Sequence, residues 1–235
     1  MKKILSFLML LSSINPVCGQ SYVSQLYCAI LGDAEIKQEY KDLVHQALRA
    51  YGVMHAEEVP VKKMNTVGQI VALMPLASFT AFGFWFNEAY LDACSPEERT
   101  FQMYHEASHY AQKHHQKILK TGAALLGIAT IGLVMFHKQL QESKNPSAMP
   151  ITLATGLLTA AAIYLGIIPN IVKHQEKEAD LGACTLLAAS GNVDVVKKRI
   201  RYLRVSGSSC SNLWWFSDNE QAAYLQEALQ KTTIS

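Results

Sequence analysis

Apolar positions along this chain predict an amphipathic helix, short strands and long hydrophobic runs. Between 35 and 51 the apolar side chains recur at helical spacing, which predicts an amphipathic helix. Residues 58–62 have the pattern of a short strand. Residues 67–86 are mostly apolar and long enough to cross a bilayer, but proline, glycine and polar residues interrupt them. These interruptions favour two buried strands joined by a turn over a membrane span.

A further helix is predicted to begin at Ser95. Serine is favoured at the N-cap, Pro96 suits the first helical position, and Glu98 occupies the acidic position of a capping box. No helix breaker follows until Gly122. The pattern therefore predicts one continuous helix from 96 to 121.

Two apolar stretches, 122–136 and 149–172, flank a polar loop. The second is long enough to cross a bilayer, and the first becomes so when it includes residues 118–119. We therefore expect a transmembrane helical hairpin at about 119–172, with both outer ends on one side of the membrane. A hydrophobic hairpin buried within protein is the alternative. Beyond 172 the chain is polar and helical, and the basic cluster at 197–201 fits a solvated surface.

The N-terminal residues have the pattern of a secretory signal. Lys2 and Lys3 precede an apolar core at 4–11, and Val17 and Gly19 occupy the −3 and −1 positions of a cleavage site. We predict a signal peptide at 1–19 and a mature domain at 20–235. An uncleaved membrane anchor is the alternative.

The cysteines permit disulfides without assigning them. Of five cysteines, Cys18 falls in the predicted signal, and the even number that remains in an exported chain allows two bridges. Their spacing matches no zinc-ribbon pattern. The sequence gives no pairing among Cys28, Cys94, Cys184 and Cys210.

Composition narrows the classes of partner. Half of the residues are hydrophobic and 17% are charged, against about 25% charged in an average soluble chain. The net charge of +2 and the lack of a dense Lys/Arg stripe in the sequence give no indication of nucleic-acid binding. A lipid bilayer is the partner that the apolar stretches indicate.

The predicted helix after Ser95 carries the sequence YHEASHY at 104–110. His105 and His109 are four residues apart and share a helix face, so both imidazoles can bind one Zn²⁺. Glu106 would lie beside the metal, where a carboxylate can deprotonate the attacking water. A catalytic zinc site needs a third protein ligand and an open fourth position.

A second acidic pair at 176–180 supplies that ligand. Glu176 and Asp180 are also four residues apart on a predicted helix. Glu176 would bind the zinc, and Asp180 would accept a hydrogen bond from the free ring nitrogen of a zinc-bound histidine. The two motifs together are far more specific than either alone.

These segments resemble those of a known family. The sequence ERTFQMYHEASHYAQKHH at 98–115, an apolar hairpin, and then EKEADLGA at 176–183 are similar to the HtpX-like membrane zinc endopeptidases, relatives of the CAAX prenyl protease. The upstream segment AFGFWFNEAYLDACSPEE at 81–98 also resembles that family. The similarity covers roughly residues 55–190.

The resemblance implies a mainly α (α+β), zincin-like domain with a small edge sheet and the hairpin inserted. It implies one zinc ion per chain on His105, His109 and Glu176. Glu106 would be general base and then proton donor, and Asp180 would support a ligand. A protein or peptide substrate would add to an edge strand near 82–87 by main-chain hydrogen bonds.

The sequence departs from the family pattern in two places. Ser108 stands before the second histidine, where the family usually has glycine. The tail at 214–223 lacks the family's His-Pro motif and downstream arginine, which are thought to support the oxyanion. Loss of one oxyanion donor typically lowers turnover by about 10²–10³. The replacements that the sequence offers are Tyr104, Tyr110, His174 and Arg201.

Other conspicuous side chains have less specific interpretations. His114 and His115 follow His109 by five and six residues, so we expect them to face headgroups or solvent. The aromatic cluster at 214–216 fits an interfacial anchor, a substrate wall or buried core.

The sequence therefore favours a membrane-bound zinc metalloendopeptidase. A catalytically weak or inactive zinc protein that binds clients is the alternative. A signal peptide places the site on the periplasmic side of a bacterial inner membrane. The positive-inside rule favours a cytoplasm-facing site, because more lysines flank the outer ends of the hairpin than lie in its loop.

Overall fold

The computed structural model describes residues 28–66, 77–80, 83–207 and 215–234. The predicted signal peptide at 1–19, Cys210 and residues 67–76 of the apolar run lie outside the described residues. The strands are β1 (Ala34–Glu35), β2 (Val61–Lys63), β3 (Ala77–Thr80) and β4 (Gly83–Phe86). The helices are α1 (Gln38–Ala50), α2 (Glu88–Ala93), α3 (Pro96–Ala111), α4 (His114–Glu142), α5 (Ala148–Ala162), α6 (Ile168–Ala189), α7 (Val193–Ser206) and α8 (Asp218–Ile234).

The amphipathic pattern near the start of the chain forms α1 as predicted. Tyr40, Val44, Ala47 and Leu48 are fully buried on one face of this helix. That face joins the main core with residues of α3, α6, α7 and α8. The predicted short strand at 58–62 appears as β2, which begins three residues later and ends one residue later.

The four strands form one small sheet in the order β1-β2-β4-β3. Strand β4 pairs antiparallel with β3 and parallel with β2, so both of its edges are occupied. Phe84, Trp85 and Phe86 are all buried, as expected of an interior strand. Gly83 permits this packing, because a Cβ there would lie 2.6 Å from the carbonyl oxygen of Pro60.

The expectation that 82–87 provides the free edge strand is therefore wrong. The continuous apolar sequence of β4 suits burial on both faces, whereas an edge strand usually carries polar residues. In the described sheet β1 and β3 hold the two terminal positions, and β3 contacts α3. The two strands joined by a turn that were predicted within 67–86 correspond to β3 and β4.

Helix α3 begins as the sequence predicts and ends earlier. The backbone N–H of Glu98 donates to Ser95 Oγ at 3.2 Å, and Pro96 occupies the first turn. The helix stops at Ala111, because Lys113 takes a left-handed backbone conformation with φ of 56°. The predicted continuous helix from 96 to 121 is thus wrong, since a local break separates α3 from α4.

The predicted hairpin consists of α4 and a longer helical run from Ala148 to Ala189, with a π-helical turn at Ile163–Ile167. Among the described residues, these two helices are long and apolar enough to cross a membrane, judged by length and composition. The rest of the described chain does not cover their apolar windows, which argues against a hairpin buried in protein. Large side chains such as Leu126, Ile131 and Leu157 project outward.

Polar side chains within the hairpin are satisfied locally. Thr130 donates to the carbonyl of Leu126, and Thr155 and Thr159 bond in the same way one turn back. Such back-bonding removes hydroxyl groups that would be costly in hydrocarbon. Near the loop, His137 Nδ1 lies 3.0 Å from Thr152 Oγ1 and links the two helices.

The described cysteines carry no bridge. Cys28, Cys94 and Cys184 are free thiols. No disulfide therefore joins any two of these three cysteines. Burial raises the pKa of the partly buried Cys94 thiol, which keeps it protonated and unreactive.

Helices α3 and α6 approach closely at Ser108 and Gly182. Ser108 is completely buried, and its Oγ accepts a 2.8 Å hydrogen bond from Gln112 Nε2. A Cβ on residue 182 would lie only 2.5 Å from that Oγ. The serine that replaces the usual glycine of the resembling family is thus accommodated by a glycine on the facing helix.

We expect Gly182→Ala to destabilise the chain, because the added methyl group would collide with Ser108. Overpacking of this kind typically costs about 1–3 kcal/mol. The double variant Ser108→Gly/Gly182→Ala removes the hydroxyl and should regain part of that loss. Unfolding of the full chain in detergent measures both. Strictly additive losses in the double variant would contradict the contact.

Candidate metal centre

Helix α3 presents two histidines, one turn apart, toward α6. His105 and His109 share a face because they are four residues apart. Their rings meet edge to face with centroids 4.8 Å apart, and their Nε2 atoms are separated by 3.1 Å. Both side chains are largely buried. The Nε2 atoms therefore meet in a region shielded from bulk water.

Helix α6 supplies a carboxylate to the same point. Glu176 Oε2 lies 3.3 Å from His105 Nε2, and its Oε1 lies 3.4 Å from His109 Nε2. The three side chains each offer one ligand atom, and all of these atoms fall within 4.8 Å of one another. The structure thus brings together the three predicted ligands from segments 67 residues apart or more in sequence, with the hairpin between them.

The spacing of these atoms fits a tetrahedral ion. Zinc binds imidazole nitrogen and carboxylate oxygen at about 2.0–2.2 Å, so two ligand atoms of a tetrahedral site lie about 3.3–3.5 Å apart. In the structure the separations are 3.1, 3.3 and 3.4 Å. Two imidazoles and one carboxylate are also the ligand set of many catalytic zinc sites, in which the fourth position stays open.

Asp180 occupies the place predicted for it. Its Oδ1 lies 2.8 Å from His105 Nδ1, one turn beyond Glu176 on α6. This bond fixes the ring so that Nε2 faces the ligand cluster. Tyr224 of α8 donates from its hydroxyl to the other carboxylate oxygen, Oδ2. Tyr224 was not predicted, because nothing in the sequence distinguishes it from the other residues of α8.

The sequence profile of peptidase family M48 matches residues 70–218, more than half of the chain. The chain belongs to peptidase family M48. Proteins of this family are zinc metallopeptidases, and the matched range contains His105, His109, Glu176 and Asp180. No curated protein and no solved structure gives a significant match to the chain.

In this M48 centre the neighbouring carboxylates oppose the effect of burial on the pKa of His105 and add to its effect on the pKa of Tyr224. Burial lowers the pKa of the His105 imidazole, but hydrogen bonds to Asp180 and Glu176 outweigh it and hold that pKa well above its ordinary value. Burial raises the pKa of the Tyr224 hydroxyl, and the neighbouring Asp180 raises it further. Tyr224 therefore remains a hydrogen-bond donor across the physiological range.

Glu106 follows His105 on α3, is partly buried, and interacts electrostatically with His105, His109 and Glu176. Burial raises the pKa of its carboxyl group, while the two neighbouring histidines lower it. A carboxylate with a raised pKa is a stronger base than one in bulk water. Burial and the neighbouring histidines thus act in opposite directions on the proton affinity of this carboxyl group, and burial has the larger effect.

His114 has a different position from the one predicted. It is 1% exposed, and its Nδ1 lies 2.8 Å from His109 Nδ1. The expectation that it faces headgroups or solvent is wrong, because that expectation assumed a helix without the break at Lys113. The neighbouring His115 is partly exposed. Neither histidine belongs to the group of three that can hold a metal among the described residues.

The other residues considered for the M48 site lie at varied depths. His174 is largely exposed and faces Glu178, and Arg201 is exposed on α7. Tyr104 is buried, and the ring of the partly buried Tyr110 packs against that of Phe84, with centroids 5.6 Å apart. Of these four, the two tyrosines on α3 remain within the protein body and the other two face outward.

The aromatic cluster at 214–216 is partly described. Trp214 lies outside the described residues, and Trp215 is partly exposed. Phe216 packs edge to face on Tyr224, and the ammonium of Lys173 lies 4.6 Å from its ring centroid. Phe216 therefore contacts α6, the helix that carries Glu176, through Lys173. It does not belong to the main core of the described residues.

Proposed function

We propose that this M48 chain is a membrane-bound zinc endopeptidase that hydrolyses peptide bonds. The observation that carries the proposal is the convergence of His105, His109 and Glu176, with separations of 3.1–3.4 Å, near the carboxylate of Glu106, which interacts electrostatically with all three. A site that only bound metal would have no use for that fourth group. One zinc ion per chain is the cofactor that this ligand set favours.

Zinc at such a site supplies Lewis-acid polarisation of a carbonyl and activation of a water molecule. Glu106 takes the proton from the attacking water and delivers it to the leaving amine. Asp180 holds His105 in the tautomer whose Nε2 carries a lone pair toward the cluster. Tyr224 in turn holds Asp180, so the bond to His105 keeps its direction.

The substrate in this proposal is an extended peptide or protein segment. Strand β3 ends the described sheet and lies against α3, which carries both histidines. A peptide that adds to β3 by main-chain hydrogen bonds would run along this helix. Main-chain recognition makes the enzyme tolerant of sequence and selective for unfolded chain.

The resemblance to HtpX-like and CAAX prenyl-protease-like enzymes extends the proposal to the membrane. Helix α4 and the run from Ala148 to Ala189 anchor the chain in a bilayer. We place the site on the periplasmic side of a bacterial inner membrane, as the signal pattern at 1–19 predicts. The cytoplasm-facing site favoured by the flanking lysines is the alternative.

We expect Glu106→Gln to lower casein cleavage by at least about 10²-fold, because a general base typically contributes 10²–10⁴-fold. The amide keeps the size of the side chain, so bound zinc should stay at one per chain. Cleavage and zinc content are measured on the full chain in detergent. Glu97→Gln is the matched control, since Glu97 lies on the same helix and pairs with Lys198 on α7.

Two outcomes would contradict the enzyme proposal. Bound zinc with casein cleavage unaffected by Glu106→Gln would remove the base from the mechanism. Bound zinc with no cleavage by the wild type would instead support the client-binding alternative. An absence of zinc from the wild type would contradict both.

The topology has its own test in the loop between α4 and α5. A reporter that is active only in the periplasm, inserted after Ser143, should be inactive. The same reporter at the C-terminus should be active, because the outer ends of the hairpin lie on one side. The reverse pattern would place the site in the cytoplasm.

A further inference from the structure

The second ring nitrogen of His109 meets another histidine. His109 Nδ1 lies 2.8 Å from His114 Nδ1, and the rings are edge to face with centroids 4.9 Å apart. On its other side, His114 Nε2 lies 3.1 Å from Glu178 Oε2 and 3.1 Å from Gln112 Oε1. A line of polar contacts thus runs from His109 through His114 to Glu178.

The backbone between the helices makes this contact possible. On an unbroken helix, five residues would turn His114 about 140° away from His109. Lys113 instead takes a left-handed conformation, with φ of 56°, and the chain restarts as α4 at His114. The buried position of His114 beside His109 is therefore a product of the break, which a lysine adopts despite its side chain.

One proton arrangement satisfies every contact. Gln112 Nε2 donates to Ser108 Oγ at 2.8 Å and to the carbonyl of Glu178 at 3.4 Å, so its Oε1 is an acceptor. His114 Nε2–H donates to that oxygen and to Glu178. His114 Nδ1 is then an acceptor, and His109 Nδ1–H donates to it. His109 Nε2 is left with its lone pair directed at the ligand cluster.

We infer that His114 and Glu178 are positioning residues that hold His109 as a metal ligand, an inference that rests on the proposed zinc site. In this arrangement helix α6 supplies a carboxylate partner for each of the two histidine ligands. Asp180 contacts His105 directly, and Glu178 reaches His109 through His114. Partners of this kind fix the ring orientation and tautomer of a ligand and typically strengthen metal binding 10–100-fold.

The test compares variants of His114 that separate shape from hydrogen bonding. His114→Phe keeps a ring in the buried position but cannot accept a hydrogen bond from His109. We expect zinc binding by the full chain, measured by competition with a chelator, to weaken about 10–100-fold. His114→Asn places an amide oxygen near the former Nδ1, so it should recover part of the affinity.

Substitutions of Glu178 provide a second pair of variants, and these do not alter the core. Glu178 is 37% exposed, so its substitution should leave folding intact. Glu178→Ala removes one of the two acceptors of His114 Nε2–H, the charged one, and should weaken zinc binding, whereas Glu178→Gln keeps an oxygen and should weaken it less. With Co²⁺ in place of zinc, the visible absorption bands should shift in His114→Phe and return toward the wild type in His114→Asn.

A control variant tests whether the loss of any buried imidazole is enough to weaken zinc binding. His45 is buried on α1, with its Nε2 3.1 Å from the carbonyl oxygen of Val59. His45→Phe removes a similar buried hydrogen bond and should leave zinc affinity unchanged. Wild-type affinity in His114→Phe and Glu178→Ala, with His105→Ala unable to bind, would overturn this inference alone. Failure of the wild type to bind zinc would overturn the proposed function as well.

Discussion

The close approach of α3 and α6 is the constraint on which the site depends. Two imidazoles on one helix can meet a carboxylate on another only if the backbones approach closely, and Ser108 against Gly182 provides that approach. A small increase in this spacing would carry Glu176 beyond 3.4 Å from both Nε2 atoms. Metal geometry tolerates little such change, so the proposed site requires this helix contact.

Helix α6 also connects the candidate site to the apolar hairpin. The run from Ala148 to Ala189 carries the second apolar segment at one end and Glu176, Glu178 and Asp180 at the other. A tilt of this run relative to α3 would move all three carboxylates at once. The π-helical turn at Ile163–Ile167 lies between the two parts and is the place where such a run can adjust its direction.

Local spacing explains which sequence patterns the structure reproduces. The cap at Ser95, the pair His105/His109 and the pair Glu176/Asp180 each depend on residues within one helical turn. The interior position of β4 depends on pairing with β2, which is distant in the chain. The contact between His114 and His109 depends on the left-handed backbone of Lys113. Nothing in the sequence indicates this conformation, because neither glycine nor proline occurs there. Tyr224 reaches Asp180 only through the packing of α8.

X-ray absorption at the zinc edge of the full chain tests the central claim most directly. We predict a four-coordinate ion with scattering from two imidazoles and only nitrogen or oxygen ligands at about 2.0–2.2 Å. Glu176→Ala should change the oxygen contribution and leave both imidazoles. Sulfur ligands at about 2.3 Å, or an oxygen shell without imidazole scattering, would contradict it.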